Sequence, residues 1–129
     1  MPIAVDTDPG GGFAILTITD PYTFEEWGAA METVLVSTVF AKTKAVLVDR
    51  REAVAPSLVF VDQIVGFFRS HEPQLVKARV GIVTNETLAF GMSRMVELKS
   101  EALLSAGVVR VFRDYHTATR WLTRRDTMR

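Results

Sequence analysis

The sequence KAVLVDRRE at residues 44–52 decides the fold. The strand that it predicts, residues 44–48, is continuously apolar rather than alternating, which is typical of a parallel strand covered on both faces. The polar sequence DRRE at residues 49–52 follows directly and marks the carboxyl end of that strand. Because parallel strands need crossover connections, usually helices, this stretch predicts an α/β domain.

The segments before this strand predict a hairpin and a helix. Residues 3–5 and 13–19 are apolar, and the turn sequence TDPGGG at residues 7–12 joins them, so we expect a hairpin whose first strand lies at the sheet edge. Thr23 and Glu26 have the spacing of a capping box, and the apolar periodicity after them predicts a helix to about Thr38.

The segments after residue 52 alternate between helix and strand. Pro56 and Ser57 open a second helix, and apolar strands at residues 78–83 and 108–112 flank a third helix that Asn85 caps and residues 105–107 close. Asp114 caps a last helix. The order β-β-α-β-α-β-α-β-α predicts a single α/β domain over residues 1–129, with a mainly parallel sheet and right-handed crossovers.

Composition bounds the class of protein. The chain has 129 residues, of which 48% are hydrophobic and 23% charged, so a disordered chain is excluded. It has no cysteine, which excludes a disulfide framework and a thiolate zinc site and favours a cytoplasmic protein. We expect no signal peptide and no membrane span, because no run of about 18 uncharged apolar residues occurs.

Charge is balanced overall and divided along the chain. Fifteen basic and fifteen acidic side chains give a net charge of zero, which argues against a nucleic-acid partner on bulk charge. Residues 1–64 carry four basic and nine acidic side chains, a net −5, and residues 65–129 carry eleven and six, a net +5. This division leaves room for a local anionic partner at the C-terminal helix.

Three stretches carry a resemblance to a known family: VLVD at residues 46–49, ARVGIV at residues 78–83, and VRVFRD at residues 109–114 with Ala118, Trp121 and Leu122 after it. With the two-strand start and three β-α units, they resemble the STAS domain of bacterial anti-sigma-factor antagonists. More closely, they resemble the SpoIIAA-like proteins, which are related to CRAL-TRIO domains. The resemblance covers nearly the whole chain and implies strands in sequential order, wound as a β-α superhelix.

The resemblance also implies a candidate regulatory site. Partner-switching STAS proteins carry a phosphorylated serine in an Asp-Ser-Gly or Asp-Ser-Ser stretch where the second helix begins, and the added charge releases the partner. The matching stretch here, APSLV at residues 55–59, has Ser57 without the preceding aspartate or the following glycine. Ser57 is therefore a candidate phosphosite, and an ordinary first-turn residue is the simpler interpretation.

No group of residues assembles the parts of an enzyme. The only histidines, His71 and His116, are expected in structural places near helix ends, so we predict no metal site. The triple glycine joins two strands rather than opening a helix, and the serine in GMSRM at residues 91–95 lacks a nucleophile elbow. We therefore expect a non-enzymatic protein without catalytic residues and without a cofactor.

A polar rim is predicted at the carboxyl ends of the parallel strands, where ligands of open α/β sheets gather. Its members end three strands or follow them: Asp49, Arg50, Arg51, Thr84, Asn85 and Arg113. Arg50 or Arg51 would be offered to an anion, with helix starts adding amide donors. Alternatively, these charges pair with one another and solvate a loop.

The second helix indicates a partner. Besides one apolar stripe it carries Val59, Phe60 and Phe67, which is more apolar surface than a surface helix needs. A homodimer is the simplest cover for these side chains, and burial by the third or fourth helix is the competing explanation. We expect a STAS-like regulatory module that binds a partner protein or itself. A small carrier of an apolar ligand or lipid is the alternative.

Overall fold

The computed structural model of the chain describes residues 2–85, 87–101 and 108–124. The predicted helix stop at residues 105–107 and the first turn predicted after Asn85, at residue 86, lie outside this part. The strands are β1 (Ile3–Thr7), β2 (Ala14–Thr19), β3 (Ala45–Glu52), β4 (Arg79–Val83) and β5 (Val108–Phe112). The α-helices are α1 (Phe24–Leu35), α2 (Thr38–Thr43), α3 (Leu58–Ser70), α4 (Thr87–Glu101) and α5 (Tyr115–Thr123), and a 3₁₀ turn, Glu72–Leu75, follows α3. None of these helices has the length and apolar character that a membrane crossing needs.

The strands form one sheet in sequential order, β1-β2-β3-β4-β5. β1 is antiparallel to β2, and the neighbours from β2 to β5 are all parallel. The predicted hairpin, the edge position of the first strand and the mainly parallel sheet are confirmed.

The central strand β3 is buried on both faces. Val46 and Val48 pack in the larger core, beneath α1, α2, α3 and α4, while Leu47 packs with Leu122 in a smaller core beneath α5. Because successive side chains of a strand point to opposite faces, one continuous apolar run contributes to both cores. The polar residues that follow still belong to the strand, which continues to Glu52.

The predicted capping box is present at the start of α1. The Thr23 hydroxyl accepts a hydrogen bond from the Glu26 amide at 3.1 Å, and the Glu26 carboxylate accepts one from the Thr23 amide at 2.8 Å. Two N–H groups that would lack a partner within the helix are thereby satisfied.

The prediction of one helix reaching Thr38 is wrong, because the chain forms two helices there. α1 ends at Leu35, and Ser37 starts α2 by accepting a hydrogen bond from the Phe40 amide at 3.2 Å. The backbone of Ser37 is extended (ψ 155°), so the helical ladder stops and restarts at this serine. α2 ends at Thr43, its C-cap Lys44 is left-handed (φ 53°), and β3 begins at Ala45.

Replacing Thr23 with alanine tests the cap of α1. We expect Thr23→Ala to lower the free energy of unfolding by about 1 kcal/mol, because the Glu26 amide loses its acceptor. Urea denaturation followed by circular dichroism measures this difference.

Thr33→Ala on the same helix is the matched control. The Thr33 hydroxyl donates to the Ala29 carbonyl inside the helix, where the carbonyl already has a backbone partner. We expect a change within about 0.5 kcal/mol for this variant. Equal losses in the two variants would contradict a capping role for Thr23.

Candidate functional site

The residues of the predicted rim lie at one end of the sheet, where the parallel strands have their carboxyl ends. β3 ends at Glu52, β4 at Val83 and β5 at Phe112, and the rim residues lie at these ends or just beyond them. Asp49 is paired in register with Val83, and Val83 with Phe112, so the three carboxyl ends are side by side. The use of this end of the sheet by a ligand or partner stays a prediction.

Asp49 and Arg51 form an ion pair on the α5 face of the sheet. Arg51 donates to the Asp49 carboxylate from Nε at 2.9 Å and from Nη2 at 2.8 Å. The Arg51 guanidinium also lies 4.5 Å from the ring centroid of Tyr115 on α5. The alternative interpretation of the rim, that its charges pair with one another, therefore describes these two residues.

Opposed effects act on the pKa of the Asp49 carboxyl. Burial raises this pKa, but the hydrogen bonds from the Arg51 side chain and amide lower it, and the net result lies below the ordinary value. A carboxyl with a depressed pKa in the folded state stabilises the fold above its unfolded-state pKa of about 3.9. That contribution is lost as the pH falls from there through the folded-state pKa.

Arg50 lies on the other face and is buried, with 3% of its surface exposed. Its Nη1 donates to the Tyr22 hydroxyl at 3.1 Å, and its Nη2 donates to the Val54 carbonyl. The Val54 amide donates in turn to the Asp20 carboxylate at 2.6 Å. Arg50 therefore ties the loop before α3 to the turn before α1.

Burial of Arg50 removes it as the group offered to an anion, whereas Arg51 is 38% exposed at its side chain and its use by an anion stays a prediction. Arg51 is bound to Asp49, and Arg50 is enclosed by the protein. The Arg50 Nε lacks a hydrogen-bond partner among the described residues. Arg50 and Ser93 line an enclosed cavity of about 20 Å³, which is room for one water molecule and not for a larger anion.

The other three rim residues differ in exposure. Thr84 is fully buried, and its hydroxyl has no hydrogen-bond partner within the part of the chain that the structure describes. Asn85 is exposed, with its side-chain amide 3.5 Å from the Arg51 carbonyl. Arg113 is exposed and lies 4.4 Å from the ring centroid of Phe90. Only the last two of these three residues face solvent.

Ser57 is the N-cap of α3 rather than a residue of its first turn. Its hydroxyl accepts a hydrogen bond from the Phe60 amide at 3.1 Å, and its backbone is extended (ψ 166°). Pro56 therefore stands before the cap and not at the first helical position. Ser57 is exposed, and its phosphorylation stays a prediction.

Three exposed apolar side chains flank Ser57. Val54 is 61% exposed, Leu58 60% and Val59 69%. We call these three residues the α3 patch. They lie beyond the carboxyl end of β3, on the loop before α3 and on its first turn.

Phe67 and Phe60, which were predicted with Val59 as a partner face, belong to the core side of α3. Phe67 is 8% exposed and packs edge-on against Trp27 of α1, with 5.1 Å between ring centroids. Phe60 is half-buried and packs edge-on against Tyr22 at 5.2 Å. α1 and the turn before it therefore supply ring contacts to these two side chains. The competing explanation named the third or fourth predicted helix, which are α4 and α5, and α4 also packs against α3.

Both histidines lie at helix ends. The His71 ring stacks on Phe67 with 3.9 Å between centroids, and its Nε2 is 3.3 Å from the Glu32 carboxylate. His116 is exposed in the first turn of α5. Among the described residues, no three His, Asp or Glu side chains come close enough together to hold a metal ion.

A cavity at the opposite end of the sheet, beside the N-terminal ends of the parallel strands, was not predicted from the sequence. It has a volume of about 500 Å³, is open to solvent, and its lining includes five cationic residues: Lys42, Lys44, Lys77, Arg79 and Arg124. We call it the basic cavity. A signal was present, because no lysine or arginine precedes Lys42 and basic residues stand directly before β3 and at the start of β4.

The order and direction of the strands, with helices on both faces of the sheet, define a SpoIIAA-like α/β fold. The chain is similar to a protein from Shewanella loihica PV-4 that is described as an uncharacterized protein from the DUF3478 family with a SpoIIAA-like fold. The two share 20% sequence identity and a TM-score of 0.57 over 93% of this chain and 91% of that one. The fold implied by the sequence resemblance is thereby confirmed. No protein-family profile and no curated protein sequence matches the chain.

Alanine substitution distinguishes a core role of Phe67 from an interface role. We expect Phe67→Ala to lower the free energy of unfolding by about 3–5 kcal/mol, because it leaves a cavity beneath Trp27. Val59→Ala on the same helix should change it by less than about 0.5 kcal/mol, since Val59 is exposed. Urea denaturation at several protein concentrations measures both values. A loss in Phe67→Ala that appears only at concentrations where the chain self-associates would contradict the core role.

Removing the guanidinium of Arg51 should raise the pKa of the Asp49 carboxyl. In Arg51→Gln the hydrogen bonds that lower this pKa are weakened, and the raising effect of burial remains. Carboxyl carbon chemical shifts followed by NMR during an acid titration measure the change. Arg69→Gln, which removes an exposed charge elsewhere, should leave the Asp49 titration unchanged. An Asp49 titration that is the same in Arg51→Gln and in the unmodified chain would contradict the assignment.

Proposed function

We propose that this chain is a non-enzymatic protein-interaction module of the STAS type that docks a partner protein on the α3 patch. The clustering of exposed apolar side chains carries the proposal. Of the six large apolar side chains that are exposed in the described part of the chain, three form the α3 patch. The others are Val36, Val76 and Leu98. Covering such a cluster is favourable by about 25 cal/mol per Å² of apolar surface.

The backbone beneath the α3 patch is held in one conformation. Both backbone groups of Val54 are hydrogen-bonded: its amide donates to the Asp20 carboxylate, and its carbonyl accepts from Arg50. The Ser57 cap orders the first turn of α3, which carries Leu58 and Val59. A surface that is already ordered loses less conformational entropy on binding, so this arrangement supports a docking role.

The contacts of the polar groups support a non-enzymatic role. The Asp49 carboxylate accepts hydrogen bonds from Arg51, and the His71 Nδ1 lies 2.9 Å from the Phe67 carbonyl. A general acid or base acts through an atom directed at a substrate. These atoms are directed at groups of their own chain.

A second copy of the chain is the partner that we propose first. Two-fold self-association is the commonest assembly of soluble proteins, and it places the same surface of each copy against its counterpart. The α3 patch is apolar and has no net charge of its own, so two such patches can face each other without repulsion.

The alternative function, a carrier of a small apolar ligand or lipid, has less support. Sites for such ligands have volumes of about 300–1,000 Å³ and are mostly apolar. The enclosed cavity beside Arg50 and Ser93 has about 20 Å³. A second cavity, of about 380 Å³ and mostly apolar, lies between β1 and α1 and falls within that range. It is open to solvent and would leave much of a ligand exposed, whereas carrier sites bury most of the ligand surface, so the interaction module is favoured.

Sedimentation velocity of the full chain at micromolar concentration tests the proposal. We expect a dimer, and we expect the double variant Leu58→Ser/Val59→Ser to raise its dissociation constant by more than about tenfold, because two apolar side chains no longer contribute to the interface. The matched control, Val36→Ser/Val76→Ser, removes two exposed valines outside the patch and should leave the dissociation constant nearly unchanged.

A chain that stays monomeric contradicts the second copy as partner. A photo-crosslinking amino acid at position 58, compared with one at position 36, then tests for a different protein in the native cells. We expect one discrete adduct at position 58 and none at position 36. The absence of an adduct at position 58, or equal adducts at both positions, would contradict the interaction function.

A further inference from the structure

We propose that the basic cavity binds a small phosphorylated molecule with two or more adjacent negative charges. The cavity lies at the N-terminal ends of the parallel strands, whereas the α3 patch lies beyond the carboxyl end of β3. The proposal is therefore independent of the interaction function and can fail or succeed without it. Charge, backbone conformation and cavity shape support it.

The lining of the basic cavity gathers cations from segments that are distant in sequence. Lys42 and Lys44 come from the end of α2, Lys77 and Arg79 from the start of β4, and Arg124 from the end of α5. The other lining residues are uncharged: Gly12, Thr43, Leu122 and Thr123. None of the residues that line the cavity is acidic, so an anion there meets positive charge from several segments.

Arg79 is positioned by the backbone of α5. Its Nη1 donates to the Trp121 carbonyl and to the Arg124 carbonyl, both at 2.8 Å. The Arg79 amide donates to the Lys44 carbonyl at 2.8 Å, which places these two cationic residues side by side. A guanidinium carries further N–H groups on Nη2 and Nε, and this planar fork matches the oxygen atoms of a phosphate group.

Lys44 and Lys77 carry their side chains on a backbone that disfavours lysine. Their φ angles are 53° and 64°, and they are the two non-glycine residues with positive φ in the described ranges. Glycine or asparagine is favoured in this left-handed region. Strained residues concentrate at functional sites, and both of these lysines line the same cavity. The Lys44 ammonium donates to the Gln74 carbonyl at 3.3 Å and lies 5.3 Å from the Phe40 ring centroid, and an anion in the cavity would be a further partner for it.

The shape of the basic cavity suits a compact ligand. Its volume of about 500 Å³ falls within the range of small-molecule sites, about 300–1,000 Å³. Gly12 lies in one wall, close to α5, since a Cβ at this residue would lie 3.0 Å from the Thr123 methyl group. The zero net charge of the whole chain argues against a long polyanion such as nucleic acid.

Helix dipoles offer a different explanation for some of these cations. Lys44 caps the C-terminus of α2, and basic residues at such ends interact favourably with the helix dipole. A dipole role contributes to stability and requires no ligand. Direct measurement of anion binding therefore separates the two explanations.

Isothermal titration calorimetry of the full chain with inorganic pyrophosphate tests the proposal. We expect one pyrophosphate per chain at a salt concentration of about 50 mM, with weaker binding as added salt screens the charges. The double variant Lys44→Asn/Lys77→Asn should bind about tenfold more weakly or worse, since two cations are lost. Asparagine tolerates the left-handed backbone, so this variant keeps the fold, which circular dichroism checks.

The matched control is Arg69→Gln/Lys99→Gln, which removes two exposed cations that lie outside the cavity. We expect its affinity to change by less than about twofold. The assignment is overturned when the unmodified chain gives no binding heat, or when the control loses as much affinity as the cavity variant. A short single-stranded oligonucleotide that binds more tightly than pyrophosphate and competes with it would overturn it in favour of nucleic acid.

Discussion

The two-faced burial of β3 is the constraint on which the rest of the structure depends. Val46 and Val48 belong to the larger core, and Ala45 and Leu47 belong to the smaller one. A shift of one residue would exchange the two sets, so packing on both faces fixes the register of this strand. The alternation continues into the polar end of β3. It sends Arg50 towards the larger core and leaves its neighbours on the opposite face.

The burial of Arg50 in turn orders the loops beside the carboxyl end of β3. A guanidinium stays charged in proteins, and an enclosed charge needs hydrogen-bond acceptors. Tyr22 and Val54 supply acceptors from two different connections. The loop before α3 is therefore held by a side chain of the strand that precedes it. This arrangement presents apolar side chains to solvent on a backbone that does not move freely.

Local patterns in the sequence predicted most of the fold, because neighbouring residues determine them. The capping box at Thr23 and the continuous apolar run of β3 are of this kind. Ser37 was missed because a single serine is a weak signal within an apolar periodicity. Phe67 was assigned to an interface because its partner, Trp27, lies on an earlier helix that the periodicity of α3 does not reveal. The basic cavity was missed because its cations meet only after folding. They meet at the N-terminal ends of the parallel strands, where α/β proteins seldom bind ligands.

The two sides of the sheet are covered unequally, and they therefore differ in how easily they open. Helices α1, α2, α3 and α4 pack over one face, whereas α5, with nine residues, packs over the smaller core on the other. Local opening is easiest where few buried contacts are lost, so we expect α5 to open more readily than the helices over the larger core. The last turn of α5 also lines the basic cavity. An anion bound there would contact the ends of the strands and of α5 together and would stabilise the docking of this helix by mass action.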